Sequence, residues 1–131
     1  MTVLDTHAWV WWVSGDPRLS TAAHDAITRA TSESRLYISA ISAWEVALLV
    51  ARGRLRLTID VNDWIAHTQA LPFISFIPID HYLAVRSVQL GGTLHNDPAD
   101  RIIIATALSI GAPIVTKDRR IQGYAEVETI W

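Results

Sequence analysis

The segment HNDPADRIIIATALSIGAPIVT, residues 95–116, predicts a long helix followed by a buried strand. Asp97 is a residue type that favours the helix N-cap, and Pro98 suits the first helical position because its missing N–H would have no partner there. The apolar run that follows is typical of a buried helix, and residues 112–116 are typical of a buried strand. Asp97 and Asp100 could therefore serve only to begin the helix, or they could also carry out chemistry.

Short apolar strands and helices alternate along the whole chain. Strands are predicted at residues 2–5, 36–39, 73–79, 112–116 and 127–130. Helices are predicted between them, beginning at or near His7, Ser20, Ser42, Asp60 or Asn62, Asp80 and Asp97. This alternation predicts an α/β fold with a mainly parallel central sheet of about four to five strands flanked by helices.

Length and composition are those of a compact globular protein. The chain has 131 residues, of which 50% are hydrophobic and 18% are charged, and this predicts a single domain over residues 1–131. No apolar stretch is long enough for a membrane helix, and the N-terminus lacks the pattern of a signal peptide. The absence of cysteine excludes a disulfide framework and thiolate-bound zinc. We therefore expect a cytoplasmic protein without a membrane partner.

Two acidic residues from opposite ends of the sequence follow predicted strands. Asp5 ends the first strand, and Asp118 comes just after the strand at residues 112–116. Ligands of open α/β sheets bind outside the carboxyl ends of the strands, which lie at one edge when the strands are parallel. We therefore expect Asp5 and Asp118 to meet at that edge.

Two further acids, Glu45 and Asp100, are predicted in the first turns of helices, and each of the four also has a purely structural interpretation. Glu45 completes the capping-box pattern SAWE, in which its side chain would bond to the backbone N–H of Ser42. Asp100 would be favoured by the helix dipole, while Asp5 and Asp118 suit helix starts or turns. Taken singly, none of these acids proves a functional site.

The four acids together are harder to explain as structural residues. Two carboxylates about 4 Å apart repel each other by roughly 4 kcal/mol at an effective dielectric constant near 20. A divalent cation removes that cost, and oxygen ligands without nearby cysteine favour Mg²⁺ or Mn²⁺ over zinc. Such an ion keeps several waters, which suits the hydrolysis of phosphate esters.

Four segments of the sequence resemble the PIN domain family, and within it the VapC-type toxins of toxin–antitoxin modules. They are VLDTHAWVWW (3–12), ISAWEVALL (41–49), NDPADRIIIATA (96–107) and IVTKD (114–118). Their order and spacing cover nearly the whole chain. The resemblance implies a Rossmann-like sheet flanked by helices, metal-dependent endoribonuclease activity, a cognate antitoxin that holds the toxin inactive, and a homodimer.

Residue by residue, the resemblance implies four core acids: Asp5, Glu45, Asp100 and Asp118. Asp5 and Asp100 are the expected direct ligands of Mg²⁺, with Mn²⁺ as a possible substitute, while the other two bind directly or through water. Thr116 is the usual polar neighbour of the fourth acid and is a candidate substrate contact. Asp97 belongs to a DPxDR variant found in part of the family, so it is a less certain ligand than Asp100.

The overall charge of −2 argues at first against a nucleic-acid-binding protein. If bound metal neutralised the four acids, the net charge would become +2. Basic residues flank the last acid and could hold RNA phosphates: Lys117, Arg119 and Arg120. A second basic strip contains Arg52, Arg54 and Arg56, and either strip could instead be an ordinary solvated face. Arg101 is expected to pair with a neighbouring acid.

The tryptophans and histidines are assigned mainly structural roles. Trp9 and Trp12 share a predicted helix face and are expected in the core. Trp11 points elsewhere, so it could pack, serve an interface or stack a base, and packing is favoured. The histidines show no metal-ligand spacing, and no such role is predicted for His7 or His95.

Two other function classes remain open from the residues alone. A carboxylate-nucleophile phosphatase or phosphoacceptor domain also uses an Asp after the first strand, and Asp80 and Lys117 could complete the phosphoacceptor version. The second acid that the phosphatase version expects two residues after Asp5 is replaced by His7. A non-catalytic binding module is the third alternative, although a complete set of acids counts against it.

Overall fold

The computed structural model describes residues 1–131, and at its centre lies a five-stranded sheet. The strands are β1 (Thr2–Leu4), β2 (Leu36–Ser39), β3 (Ile74–Ile77), β4 (Ile114–Val115) and β5 (Thr129–Ile130). They pair in the order β3-β2-β1-β4-β5, and every pairing is parallel. The predicted α/β class and strand positions are confirmed, although four of the five strands are shorter than predicted.

Seven helices connect these strands or follow them. They are α1 (Thr6–Ser14), α2 (Thr21–Ser32), α3 (Ala40–Ala51), α4 (Val61–Gln69), α5 (His81–Val88), α6 (Pro98–Ile110) and α7 (Arg119–Gln122). Ser20, Asp60, Asp80 and Asp97 are N-caps as predicted, with Asp60 rather than Asn62 beginning α4. Each side chain accepts a hydrogen bond from a first-turn N–H that has no partner within its helix.

The start of α3 corrects the predicted capping box. Ser39 is the N-cap and accepts a hydrogen bond from Ile41 N at 3.2 Å, so the helix begins two residues before Ser42. Ser42 lies inside the helix and is fully buried, and Glu45 stands in the second turn rather than the first. The capping-box interpretation was wrong because β2 passes into α3 without a loop, which leaves Ser39 as the first residue outside the helix.

Helix α7 was not predicted. It is a four-residue turn of helix that begins after Asp118, whose side chain accepts hydrogen bonds from Arg120 N and Ile121 N. A segment this short has no apolar periodicity that sequence analysis could detect. Its formation makes Asp118 an N-cap, and it holds Arg119 and Arg120 in a defined orientation.

The core consists of two apolar clusters on opposite faces of the sheet. Consecutive strand residues point to opposite faces, so Val3 belongs to one cluster and its neighbour Leu4 to the other. The cluster around Leu4 packs against α1, α2, α3 and α4, and includes the fully buried Trp9. The cluster around Val3 contains Ile103 and Ile104 of α6. Burial on both faces explains why β4 and most of the central strand β1 are apolar.

The strand order determines where the candidate acids lie. β1 is the central strand, with β2 on one side and β4 on the other. Asp5 directly follows β1, α3 follows β2, and Asp118 follows β4 after a two-residue loop. Because the strands are parallel, these positions share the carboxyl edge of the sheet. No helix is long and apolar enough to cross a membrane.

Candidate active site

The carboxyl edge of the sheet carries an open cavity of about 390 Å³ in which the predicted acids come together. Its lining residues are Asp5, His7, Trp11, Arg18, Glu45, Asp97, Asp100, Lys117, Asp118 and Arg120. The five acids come from four segments that are far apart in sequence, and a single residue of the lining is apolar. The convergence expected from the strand order is therefore present.

Asp5 is one of the two buried acids of this cavity, and Asp100 is the other. Asp5 is 7% exposed, and as the N-cap of α1 it accepts a hydrogen bond from Thr6 N at 2.8 Å. Its other oxygen accepts a bond from Thr116 Oγ1 at 2.7 Å. Burial raises the pKa of Asp5, although both hydrogen bonds oppose that shift.

Thr116 connects Asp5 to the fourth acid. Its hydroxyl donates to Asp5 Oδ2 and accepts a hydrogen bond from the backbone N–H of Asp118 at 3.0 Å. The residue is fully buried, so this arrangement cannot be replaced by solvent. Thr116 was predicted as a substrate-contacting residue, but its hydroxyl is engaged in positioning Asp5 and the start of α7.

Glu45 reaches the cavity from α3. Its Oε1 lies 2.6 Å from the hydroxyl of Thr6, which is also 2.9 Å from Ser42 Oγ. Burial raises the pKa of Glu45 to about 7, and the negative charges of Asp5, Asp100 and Asp97 act in the same direction. No sequence pattern indicated that Thr6 would hold Glu45, since the two are 39 positions apart.

Asp100 stands in the first turn of α6, as predicted, and is held from two sides. Its backbone N–H donates to Asp97 Oδ1 at 2.9 Å, which makes Asp97 the cap of the helix. Its Oδ2 lies 2.6 Å from His95 Nε2 and 3.4 Å from Arg120 Nη2. Burial and the nearby carboxylates, including Asp5, raise the pKa of Asp100, whereas the bond to His95 lowers it.

Asp118 differs electrostatically from the other acids. Burial alone would raise its pKa, but hydrogen bonds from Arg120 and from the backbone of Ile121 outweigh that effect, and the pKa is lowered. The ion pair with Arg120 has an Nη2–Oδ2 distance of 3.1 Å. Asp118 is therefore ionised in the free protein, whereas burial favours the protonated forms of Asp5, Glu45 and Asp100.

His95 is a residue at the site for which sequence analysis predicted no role. Its Nε2 contacts Asp100, and its Nδ1 is buried without a hydrogen-bond partner. The loop that carries it is held by Arg101, which donates to the backbone oxygens of Ser87, Leu94 and His95. The prediction that Arg101 pairs with an acid was therefore wrong. The feature of the sequence that indicates the contact with Asp100 is the position of His95, five residues before that acid.

The predicted basic residues separate into different groups. Arg120 contacts two of the acids, whereas Lys117 Nζ lies 5.8 Å from the ring centre of Trp11. Arg119 is exposed and forms no ion pair with the acids. The second basic strip does not line the acidic cavity. Two of its members, Arg54 and Arg56, line a neighbouring groove, which meets the cavity at His7, Trp11 and Arg18.

The core positions predicted for Trp9 and Trp12 are confirmed. Trp9 is fully buried, Trp12 packs at the edge of the same cluster, and Trp11 is 8% exposed. Trp11 packs against Trp131, and the guanidinium of Arg18 lies 4.8 Å from its ring centre. The packing interpretation of Trp11 is therefore supported, because little of the ring remains for stacking on a base.

The donor set fits a hard divalent ion, although the acids are not preassembled around one. The Asp and Glu side chains of the cavity offer carboxylate oxygens as metal ligands, which Mg²⁺ and Mn²⁺ prefer. Three of the acids have pKa values raised by burial, with mutual repulsion adding to that effect, and a bound cation would relieve both costs. No three His, Asp or Glu side chains are arranged as a ready metal-binding group. Arg120 and His95 instead contact Asp100 directly.

Comparisons with known proteins show the family to which this chain belongs. The sequence model of the PIN domain matches residues 2–127. The chain belongs to the PIN domain family. It is also 37% identical over 131 residues to "Ribonuclease VapC22" of Mycobacterium tuberculosis, a match that covers 98% of this chain and 97% of that protein. Within the PIN family, the chain is a ribonuclease of the VapC type.

Solved PIN structures share the fold at lower sequence identity. A VapBC2 complex from Rickettsia felis bound to promoter DNA has a TM-score of 0.68 at 14% identity, covering 98% of this chain and 96% of that chain. FitAcB from Neisseria gonorrhoeae also has a TM-score of 0.68, at 23% identity and the same coverage. A toxin–antitoxin complex from Klebsiella pneumoniae has a TM-score of 0.62 at 21% identity, covering 98% and 99% of the two chains.

Asp80, the second acid of the phosphoacceptor alternative, lies outside the cavity that contains Asp5. Asp80 caps α5, accepting a hydrogen bond from Leu83 N at 2.8 Å, and it does not line the acidic cavity. It follows β3 at the edge of the sheet, two strands away from β1. Asp5 therefore shares its cavity with other carboxylates and with Lys117, but not with the Asp80 that this alternative requires.

Proposed function

We propose that this PIN-domain protein is the toxin of a toxin–antitoxin pair and cleaves RNA internally, hydrolysing phosphodiester bonds with Mg²⁺ or Mn²⁺. The observation that carries the proposal is the convergence of five carboxylates at the carboxyl edge of the sheet. Their burial next to one another is unfavourable without a cation, as the raised pKa values of Asp5, Glu45 and Asp100 indicate. The resemblance to VapC-type toxins supports the same chemistry.

The metal would be held mainly by Asp5 and Asp100, with Glu45 and Asp118 binding directly or through water. One oxygen of Asp97 already caps α6, which leaves its other oxygen for a contact with the metal. When bound, Mg²⁺ supplies an acidified water and neutralises charge on the scissile phosphate. Asp5 accepts one hydrogen bond on each oxygen, from Thr116 Oγ1 and from Thr6 N, and these two bonds orient its carboxylate.

The residues of the chain have separate tasks in this proposal. Glu45 Oε1 is engaged by Thr6, which leaves Oε2 as the oxygen able to accept a proton at the reacting centre. His95 holds one oxygen of Asp100, so the other can be directed towards the cavity. Lys117, Arg119 and Arg120 extend from the same edge, and they could hold phosphates on either side of the scissile bond.

Substitution of the acids tests the proposed catalytic residues. Asp5→Asn and Asp100→Asn should each lower the rate of RNA cleavage by at least about a hundredfold, because each removes a charged metal ligand. Asp25→Asn, at an exposed position on α2, is the matched control and should retain activity. Unchanged cleavage by both site variants would overturn the assignment. A stable phosphate adduct on Asp5 would favour the phosphoacceptor alternative instead.

The RNA target can be identified in the same system. After induced expression, 5′-phosphate RNA ends are mapped in cells that carry the wild type or Asp5→Asn. Ends that are present only with the wild type would give both the substrate and the cleavage sequence. Equal sets of ends from the two strains would contradict the proposed ribonuclease chemistry in cells.

We also infer that a cognate antitoxin covers the acidic cavity. The VapBC2 and Klebsiella structures contain toxin–antitoxin complexes of the same fold, which supports such a partner for this chain. An unregulated ribonuclease would damage the cell that makes it, and the expected site of action is the cytoplasm. Purified complex should regain RNA cleavage only after the antitoxin is removed.

A homodimer is the proposed assembly. Tyr82, Val85 and Val88 of α5 are 60%, 54% and 78% exposed, and they form an apolar stripe on one helix. Burial of this stripe against a second copy would remove it from water. Val88→Glu should therefore shift the molar mass in light scattering from dimer to monomer, whereas Val13→Glu on α1 should not. A dimer that persists in Val88→Glu would exclude this surface.

A further inference from the structure

Arg120 is the arginine that bridges two of the candidate acids. Its Nη2 lies 3.4 Å from Asp100 Oδ2 and 3.1 Å from Asp118 Oδ2, and its Nε lies 3.4 Å from Asp118 Oδ1. The guanidinium thus occupies the position between two carboxylates that belong to different elements, α6 and α7. A positive charge at this position reduces the repulsion between the two acids.

The bridge can open without disturbing the fold. The backbone N–H of Arg120 donates to Asp118 Oδ1 at 2.8 Å, so the main chain stays attached to the cap of α7. The Arg120 side chain is 59% exposed, whereas that of Asp100 is 10% exposed. Asp100 is also held by His95 and by its position in α6. Arg120 is therefore the mobile partner of the contact.

We infer that Arg120 competes with the divalent cation for Asp100 and Asp118, and that it turns towards an RNA phosphate when the cation binds. This inference rests on the proposed metal-dependent cleavage. The guanidinium and the cation are both drawn to the Asp100 and Asp118 carboxylates and repel each other, so they cannot both approach these groups closely. Once displaced, the guanidinium remains beside the scissile phosphate, for which its planar fork is well suited.

The neighbouring basic residues provide a matched comparison. Arg119 has the same charge and lies on the same helical turn, but it is exposed and forms no ion pair with either acid. Lys117 points to Trp11 rather than to the carboxylates. A general effect of positive charge would be similar for Arg119 and Arg120, whereas competition for the carboxylates is specific to Arg120.

Mn²⁺ binding to the full chain without RNA tests the inference by isothermal titration calorimetry. Because an exposed ion pair is worth up to about 1 kcal/mol, Arg120→Gln should bind Mn²⁺ about three- to fivefold more tightly than the wild type. Arg119→Gln should change the affinity by less than about 1.5-fold, since it breaks no such pair. Thermal unfolding of each variant confirms that the fold is retained.

RNA cleavage at saturating Mn²⁺ provides a second readout of opposite sign. Arg120→Gln should cleave more slowly than the wild type although it binds the metal more tightly, and Arg120→Lys should recover part of the rate because it keeps a positive charge. This combination distinguishes competition from simple loss of a metal-site residue, which would weaken both metal binding and cleavage.

The outcomes also separate this inference from the proposed function. If the wild type binds Mn²⁺ and both glutamine variants bind it equally, competition by Arg120 is wrong while the metal site stands. Weaker binding by Arg120→Gln overturns the inference in the same way. If no form of the folded protein binds Mn²⁺, both the metal site and the competition are wrong.

Discussion

At the residue scale, the candidate site depends on neutral side chains as much as on its acids. Thr116 and Thr6 each place a hydroxyl against a carboxylate, on Asp5 and Glu45 respectively. Hydrogen bonds of this kind orient a ligand and partly compensate for its burial. The acids alone would leave the orientation of their oxygens undetermined.

Thr116→Val tests this positioning role with almost no change in shape. Loss of the hydroxyl should weaken Mn²⁺ binding by about tenfold or more, which is typical for groups that orient a metal ligand. It should also lower the free energy of unfolding by about 1–2 kcal/mol, because Asp5 and Asp118 N each lose a partner. Calorimetric titration and denaturant unfolding measure the two effects.

The matched control for this variant is Thr106→Val. Thr106 is equally buried, but its hydroxyl donates to the carbonyl of Ile102 within α6 and not to a site residue. It should leave Mn²⁺ affinity unchanged. Equal metal affinity in Thr116→Val and the wild type would show that the hydroxyl does not position Asp5.

At the element scale, α6 carries both a cap and a proposed ligand in its first turn. Asp97 accepts the backbone N–H of Asp100, and Pro98 occupies the first helical position. The sequence segment that predicts the helix therefore also places this acid in the first turn, while contacts with His95 and Arg120 orient its carboxylate. Helix α7 also begins at a candidate metal ligand, because its N-cap residue is Asp118.

Asp97 allows capping to be separated from metal binding. Asp97→Ala should lower the free energy of unfolding by about 1 kcal/mol, whereas Asp97→Ser keeps a capping oxygen and should retain most of that stability. If Asp97 is mainly a cap, Asp97→Ser also keeps RNA cleavage near the wild-type rate. A loss of cleavage in Asp97→Ser comparable with that in Asp100→Asn would instead identify Asp97 as a ligand.

At the scale of the whole molecule, gathering the acids in one cavity makes stability depend on pH and on metal. A carboxyl whose pKa is higher in the folded than in the unfolded state loses stability as pH rises, since the unfolded chain releases its proton first. Glu45, with a pKa raised to about 7 from 4.5, defines a window from about pH 4.5 to 7. The raised pKa values of Asp5 and Asp100 act in the same direction.

We therefore expect the metal-free protein to be less stable at pH 8 than at pH 5. For the half-buried Glu45, solvent screening reduces the effect to about 1–2 kcal/mol. Mg²⁺ should raise the melting temperature more at pH 8 than at pH 5, because it binds the ionised acids. Thermal unfolding at both pH values, with Mg²⁺ or with a chelator, measures the loss of stability and the effect of Mg²⁺ on the melting temperature. Asp118 and Asp16, whose pKa values are lowered, contribute the opposite dependence at more acidic pH.

Glu45→Gln is the control for this behaviour. It removes the ionisable group, so the metal-free variant should lose less stability between pH 5 and pH 8 than the wild type. It should also cleave RNA poorly, since the proposed proton acceptor is absent. An unchanged pH dependence in Glu45→Gln would mean that other groups cause the loss of stability.

The positions of the helices and strands and the identity of the candidate acids follow from local features of the sequence. Apolar periodicity, N-cap residues and β-branched runs are local properties, and they predicted the five strands, six of the seven helices and the parallel sheet. Asp5, Glu45, Asp100 and Asp118 were found in the same way, together with the resemblance. The error at Glu45 was also local, because Ser39 and Ser42 both suit an N-cap and only the absence of a loop between β2 and α3 decides between them.

The contacts of each acid depend instead on how distant parts of the chain pack together. The hydrogen bond from Thr116 to Asp5 joins residues 111 positions apart, and the contact of Arg120 with Asp100 joins two helices that are separated by a strand. Such contacts follow from the order of the strands and the packing of α6 and α7 against the sheet, which no local pattern encodes. The kinds of side chain at the site are thus a property of the sequence. The protonation and orientation of these side chains come from burial and long-range contacts.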